Sequence, residues 1–259
     1  MKCVLLLLCV TMLGALGCQT LKSSRGDKLP PLRIGVATDY APIIFRQNSR
    51  IAGVEADLAI HLCKALGRKP EFVEMDFDTQ LRALNEGKID IVMSGMTVTP
   101  ARAARATFCD AYLKSGQVAV VPAGEAGKYT SAESVLQING RVGVVEGTTG
   151  DAFVKRAFKS ANVVLLNRLA DAKVFFDGNR MDMMVYDLFG AGWLVATREA
   201  DLEGIWIPLT QEELAWAVRR DDTQLLQDAN RVLGQWRRDG TLAVILDRWV
   251  SVRKNVVWD

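Results

Sequence analysis

Several stretches of this chain place polar or charged side chains directly after apolar, β-branched runs, where a strand ends and its neighbours can face a ligand. The fullest is Ile89 to Arg102. Ile89, Ile91 and Val92 read as a buried strand. Ser94, Gly95 and Thr97 lie in the turn that follows. Thr99 is placed to cap a helix, Pro100 suits its first position, and Ala101 to Ala106 is helix-forming. A strand that enters a helix through a glycine turn offers unpaired N–H groups and the positive end of the backbone dipole, which is an anion site. Arg102 adds a two-pronged guanidinium that matches a carboxylate. The structural alternative is that Ser94 and Thr97 are turn residues and Arg102 a solvated helix residue.

The same design recurs downstream. Arg141 to Val145 reads as a strand, Gly147-Thr148-Thr149-Gly150 as a small hydroxyl turn, and Asp151 to Phe158 as a helix. No Gly-Lys-Ser/Thr follows, so this is not a phosphate loop. Met181 to Tyr186 is an apolar strand ending in Asp187, an acid that either caps the helix from Leu188 or faces a ligand. Asp39 and Tyr40 follow the strand Leu32 to Ala37, and Phe77 follows the strand Glu71 to Met75.

The elements must bring these groups together. Between Leu32 and Val92 the order is strand, helix, strand, helix, strand, with Asp78 as the expected cap of the second helix. Asn48 to Arg50 reads as a turn. This order predicts a parallel sheet with helices on both faces, and such sheets bind ligands beyond the C-terminal ends of their strands. A second α/β unit begins near Arg141. Leu214 to Arg219 reads as a strand returning to the first unit, followed by an amphipathic helix over Asp222 to Arg237 and a last helix from Thr241 to Trp249. Trp216, Trp236 and Trp249 fall at core positions.

Composition narrows the function. The chain has 259 residues, 49% of them hydrophobic, and a formal net charge of +2. That balance argues against nucleic acid as a partner. His61 is the sole histidine, which disfavours a histidine metal site or a Ser-His-Asp triad, and no cofactor or metal is expected. Met1 to Cys18 reads as an export signal, too short in its apolar part to span a bilayer. Gln19 to Pro31 reads as a tether. Cys63 and Cys109 are expected as buried free thiols, a bridge between them being the alternative.

The signal's end, Gly17-Cys18, resembles a bacterial lipobox, with Ala15 where leucine is usual. That implies lipid on Cys18, and Gln19 is not the aspartate of inner-membrane retention. The competing reading is a plain signal peptide and a soluble periplasmic protein.

Leu32 to Trp249 as a whole resembles the family-3 solute-binding proteins of amino-acid ABC importers. The resemblance runs through Val36 to Pro42, Gly53 to Ala59, Asp76 to Leu84, Glu86 to Asp90, Ser94 to Arg102, Phe108 to Tyr112, Ser115 to Gln117, Gly147 to Gly150, Asp182 to Asp187 and Asp239 to Trp249. It implies a type II periplasmic-binding-protein fold: two α/β lobes, each a mostly parallel sheet flanked by helices, joined by two crossing strands. Residues 32–117 and 210–259 would form lobe 1 and residues 118–209 lobe 2. A polar amino acid would lie in the cleft. Arg102 would grip its carboxylate, helped by Thr97 and by backbone N–H groups around Gly95 and Thr149, with Ser94 and Thr148 as further ligand contacts. Asp187 would take its ammonium, and Tyr40 and Phe77 would sandwich its side chain, while Asp39, beside Tyr40, either meets a cationic or amide side chain or caps its loop. The partner would be an ABC permease in the inner membrane, and the protein a monomer. Ile43 and Ile44, Val54-Glu55 and Ala111 depart from the family pattern. Two other classes of function stay open. One is a cyclohexadienyl dehydratase-like enzyme, which would need an acid such as Glu146 or Asp151. The other is a receptor that feeds a sensor.

Overall fold

The computed structural model describes residues 29–198 and 201–250. The expected export signal, Cys18 and most of the tether lie outside the described residues. The chain starts with β1 (Leu32–Val36), the short strands β2 (Asp39–Tyr40), β3 (Ile44–Gln47) and β4 (Arg50–Ala52), helix α1 (Val54–Ala65), β5 (Pro70–Glu74), α2 (Gln80–Asn85) and β6 (Ile91–Val92). The single turn α3 (Pro100–Ala103) is followed by β7 (Thr107–Phe108), β8 (Leu113–Ser115) and β9 (Gln117–Pro122). Then come α4 (Ala132–Leu136), β10 (Arg141–Val145), α5 (Thr149–Ala157), β11 (Asn162–Leu166), α6 (Ala172–Asp177), β12 (Met183–Asp187), α7 (Leu188–Thr197) and β13 (Leu202–Ile205). The chain closes with β14 (Glu212–Leu214), β15 (Ala217–Val218), α8 (Thr223–Asp239) and α9 (Thr241–Trp249).

Two five-stranded sheets result. The first has the order β5-β1-β6-β15-β7 and the second β11-β10-β12-β9-β13. In each, three parallel strands are followed by one antiparallel strand and then by a fifth that pairs antiparallel with it. The parallel strands follow from the βαβ crossovers, which return the chain in one direction. Between the sheets run β8 and β14, paired antiparallel with Leu113 opposite Leu214 and Ser115 opposite Glu212. This is the expected two-lobed α/β architecture.

Burial explains the helices. In α8, Leu225, Ala229, Val232, Leu233 and Trp236 recur at helical spacing and are all buried. Gly240, with φ +82°, ends that helix and opens α9. Trp216 is fully buried and stands edge-on to Trp236 at 6.3 Å. Cys63 and Cys109 are buried and unbridged. One apolar cluster crosses between the lobes: Tyr40, Ile43 and Ile44 pack in the same core as Tyr186, Leu188 and Phe189.

The structure differs from the sequence reading in local detail. Asp39 to Ala52, where the sequence shows only a turn at Asn48 to Arg50, is a three-stranded meander. Asp78 does not cap the second helix; it lies inside a 3₁₀ turn, Phe77–Thr79, that precedes α2. The helix expected to run to Ala106 is a single turn. Thr99 still caps it, accepting from the Arg102 N–H at 3.2 Å.

Candidate functional site

A cleft of about 1100 Å³ opens at the C-terminal ends of the parallel strands, and all ten residues singled out as ligand contacts line it. They reach it in different ways.

Arg102 is half-buried and fixed by two contacts. Its Nη1 donates to the Thr97 carbonyl at 3.1 Å, and its guanidinium carbon lies 5.1 Å from the centroid of Phe77. Burial lowers its pKa, against the attraction of Asp187 and Glu212. With α3 so short, the positive charge on this wall comes from Arg102 rather than from a helix dipole. Ser94 is almost fully buried, and its Oγ accepts from the Ala37 N–H at 2.8 Å and from Gln80 Nε2 at 3.0 Å. Both lone pairs are thereby taken, so its proton is what it has to offer a ligand.

Gly95 behaves differently from expectation. Its N–H points into the core and donates to Glu55 Oε1 at 2.9 Å, so it is not a donor to the cleft. Its φ of +65° favours glycine, and a Cβ there would meet the Tyr40 ring at 2.7 Å. Glu55 itself is fully buried, accepts from the Tyr112 hydroxyl at 2.7 Å, and has its carboxyl pushed up to about 7 by burial, with those two hydrogen bonds opposing. Tyr40 fills the space between the lobes. Its ring abuts Gly95 on one side and Gly190 on the other, and meets Tyr186 edge-on at 5.7 Å. Its hydroxyl is buried without a protein partner.

From the second lobe, Thr148 caps α5, accepting from the Asp151 N–H at 3.2 Å and donating to the Val145 carbonyl at 2.7 Å. Asp187 stands at the cap position of α7, but its side chain makes no capping bond. It accepts instead from Gln117 Nε2 at 3.3 Å. Burial, and then repulsion from Glu212, push its carboxyl up to about 7, with Arg102 opposing. Asp39 lies at the rim, where loss of solvation raises its carboxyl and Arg168 opposes the rise. Of the two acids weighed for catalysis, Glu146 is an exposed rim residue, whereas Asp151 is held by the Gly147 N–H and by Lys155.

Sequence reasoning missed two groups beneath the cleft. Gln117 and Glu212 join the walls through a shared hydrogen-bond network. The sequence signals are Gln117 at the end of the Ser115 to Gln117 stretch and opening the apolar run Gln-Val-Ala-Val-Val, and an acidic pair before Leu214.

Two α/β lobes joined by crossing strands, with a charged cleft between their strand ends, define a solute-binding protein. The sequence matches the model of bacterial extracellular solute-binding proteins, family 3, over residues 32–252, and the chain belongs to that family. It is 30% identical over 267 residues to the arginine-binding extracellular protein ArtP of Bacillus subtilis, covering 98% of this chain and 100% of that protein. It is 26% identical to the L-arginine-binding protein of Pseudomonas aeruginosa, covering 93% and 96%. Among solved structures, an ancestral arginine-binding protein bound to arginine superposes with a TM-score of 0.77 at 32% identity, covering 85% of this chain and 98% of that one. An ancestral amino acid-binding protein, a precursor of cyclohexadienyl dehydratase, gives 0.78 at 34% identity, covering 85% and 95%. The curated relatives named here are binding proteins.

Proposed function

We propose that this protein binds an amino acid with a cationic side chain outside the cytoplasm and presents it to the permease of an ABC transporter. The observation that carries the choice of ligand is the charge of the cleft. Asp39, Glu74, Asp76, Asp78, Glu146 and Asp187 face Arg46, Arg102 and Arg168, six acids against three bases. Arg46 is already paired with Glu74. Arg102 complements a carboxylate and Asp187 an ammonium, which leaves Asp39, Asp76 and Asp78 to outweigh Arg168 and attract a second positive charge. The arginine-binding relatives agree with this reading.

In this reading residues 32–117 and 210–259 form one lobe and residues 118–209 the other, and each lobe contributes one of the charges that hold the zwitterion. Ligand binding then favours the closed form, because only there do both contacts exist. The protein acts as a monomer, exported and held at the membrane by lipid on Cys18.

A thermal-shift screen of refolded protein from Leu29 onward, against the common amino acids and prephenate, tests the proposal. Ligand at 100 times its Kd stabilises by about 2.7 kcal/mol. Shifts with arginine, lysine or ornithine and none with glutamate support it. No shift with any amino acid, or consumption of prephenate, would replace it with the dehydratase reading.

A further inference from the structure

Beneath the cleft, on the crossing strand β14, Glu212 collects hydrogen bonds from both lobes. Its Oε2 accepts from Thr97 Oγ1 at 2.9 Å and from Thr149 Oγ1 at 2.8 Å, one threonine from each wall. Its Oε1 accepts from Thr210 Oγ1 at 2.9 Å and from Gln117 Nε2 at 3.1 Å. The same Gln117 amide nitrogen reaches Asp187 Oδ1 at 3.3 Å. Its orientation is fixed by this pair of carboxylates, since the reverse orientation would set the amide oxygen against two anions.

We propose that Glu212 is a positioning residue for the ligand: it locks Thr97 of one wall to Thr149 of the other, and through Gln117 it couples cleft closure to the charge of Asp187. The proposal rests on the reading of Asp187 as the ammonium acceptor. Each threonine hydroxyl has one proton, and here both are given to Glu212. Thr97 and Thr149 then have only lone pairs to offer a ligand, which suits the ammonium and leaves the carboxylate to Arg102 and Ser94. The floor of the cleft is therefore an acceptor surface built from both lobes, complete only when they are together.

The groups acting on Asp187 are few. Glu212 on β14 repels its charge, Arg102 on α3 attracts it, and the Gln117 amide on β9 donates to it. Tyr40, Tyr112 and Tyr186, neutral at ordinary pH, share its surroundings. Removing the Glu212 charge removes the one anionic neighbour in that set.

The test is Glu212→Gln in the mature protein, which keeps shape and loses charge. In ligand-free protein, carbon-13 NMR follows the Asp187 carboxyl, assigned with Asp187→Asn. Its midpoint is expected to fall by about one pH unit in the variant, the scale of a single close charge. Small-angle scattering of the ligand-free variant is expected to show an expanded molecule, and the affinity for L-arginine a loss of at least about tenfold, the scale of one charged hydrogen bond. An unchanged midpoint with unchanged scattering overturns the proposal. Should the variant fail to fold, Thr149→Val against Thr149→Ser decides by scattering: expansion with valine alone supports the lock, and two wild-type curves reject it. An unaltered L-arginine affinity in Asp187→Asn would remove the ammonium reading, while the titration of Asp187 still judges its coupling to Glu212.

Discussion

The guanidinium of Arg102 lies over the ring of Phe77, 5.1 Å from its centroid. This contact, with the bond to the Thr97 carbonyl, holds the arginine in place before any ligand arrives. Arg102→Ala is expected to weaken L-arginine binding by about 2–5 kcal/mol, from loss of a buried charge partner. Phe77→Leu keeps the charge and loses the cation–π contact, so a smaller loss of about 0.5–2 kcal/mol is expected. Isothermal titration of the two variants checks the order. Equal losses would mean that Phe77's own contact with the ligand matters as much as the Arg102 charge, and no loss in Arg102→Ala would remove it from the site.

Asp187 makes binding depend on pH. Its folded-state carboxyl titrates near 7, above the ordinary aspartate value, because of burial and Glu212. The charged form binds an ammonium, so affinity is expected to fall as pH drops below about 7. Below that pH, binding must also release a proton, approaching about one per ligand near pH 5.5. Calorimetry at that pH, in buffers of different ionisation enthalpy, measures the count. Asp187→Asn should abolish the release and weaken arginine far more than its des-amino analogue. A release that survives the substitution would place the proton elsewhere.

The parts of this structure that were legible in the sequence are those governed by neighbours along the chain. Thr99, Pro100 and Arg102 announce a helix start because capping acts over three residues, and the cap is there. The strand ends at Ser94, Thr148 and Asp187 are marked by the change from β-branched to polar residues. How far a helix runs was not legible: α3 stops after one turn although Ala101 to Ala106 has helical propensity. The meander over Asp39 to Ala52 is not legible beyond its turn at Asn48 to Arg50, because its strands are two to four residues long, too short for a period. Apart from the bond between Thr210 and Glu212, Glu212, Gln117 and Glu55 act on partners 32 to 115 residues away, and nothing adjacent to them records those partnerships.

Gly190 is a contact point between the lobes. A Cβ there would lie 2.4 Å from the Tyr186 ring and 3.0 Å from the Tyr40 ring. On an ordinary helix surface, Gly→Ala gains about 1 kcal/mol. Here the added methyl wedges two buried aromatic rings apart, so Gly190→Ala is expected to lower stability and expand the ligand-free molecule in small-angle scattering. A more stable variant of unchanged size would show that the rings move aside freely.

Glu55 makes stability depend on pH independently of the ligand. Its carboxyl is raised from the ordinary glutamate value to about 7, chiefly by burial. The folded state therefore holds a proton that the unfolded state has released, and stability falls as pH rises from the ordinary value through 7. A shift of this size corresponds to at most about 3 kcal/mol. In Glu55→Gln the amide oxygen can still accept from Tyr112 and the Gly95 N–H, while the charge is gone. Urea unfolding of ligand-free protein at pH 5.5 and 8.5 is expected to show the variant near wild type at the lower pH and more stable than wild type at the higher one. Asp187 adds a slope of the same sign, so the variant's profile flattens without becoming level. Parallel profiles for the two proteins would mean that Glu55 ionises no differently in the folded and unfolded chain.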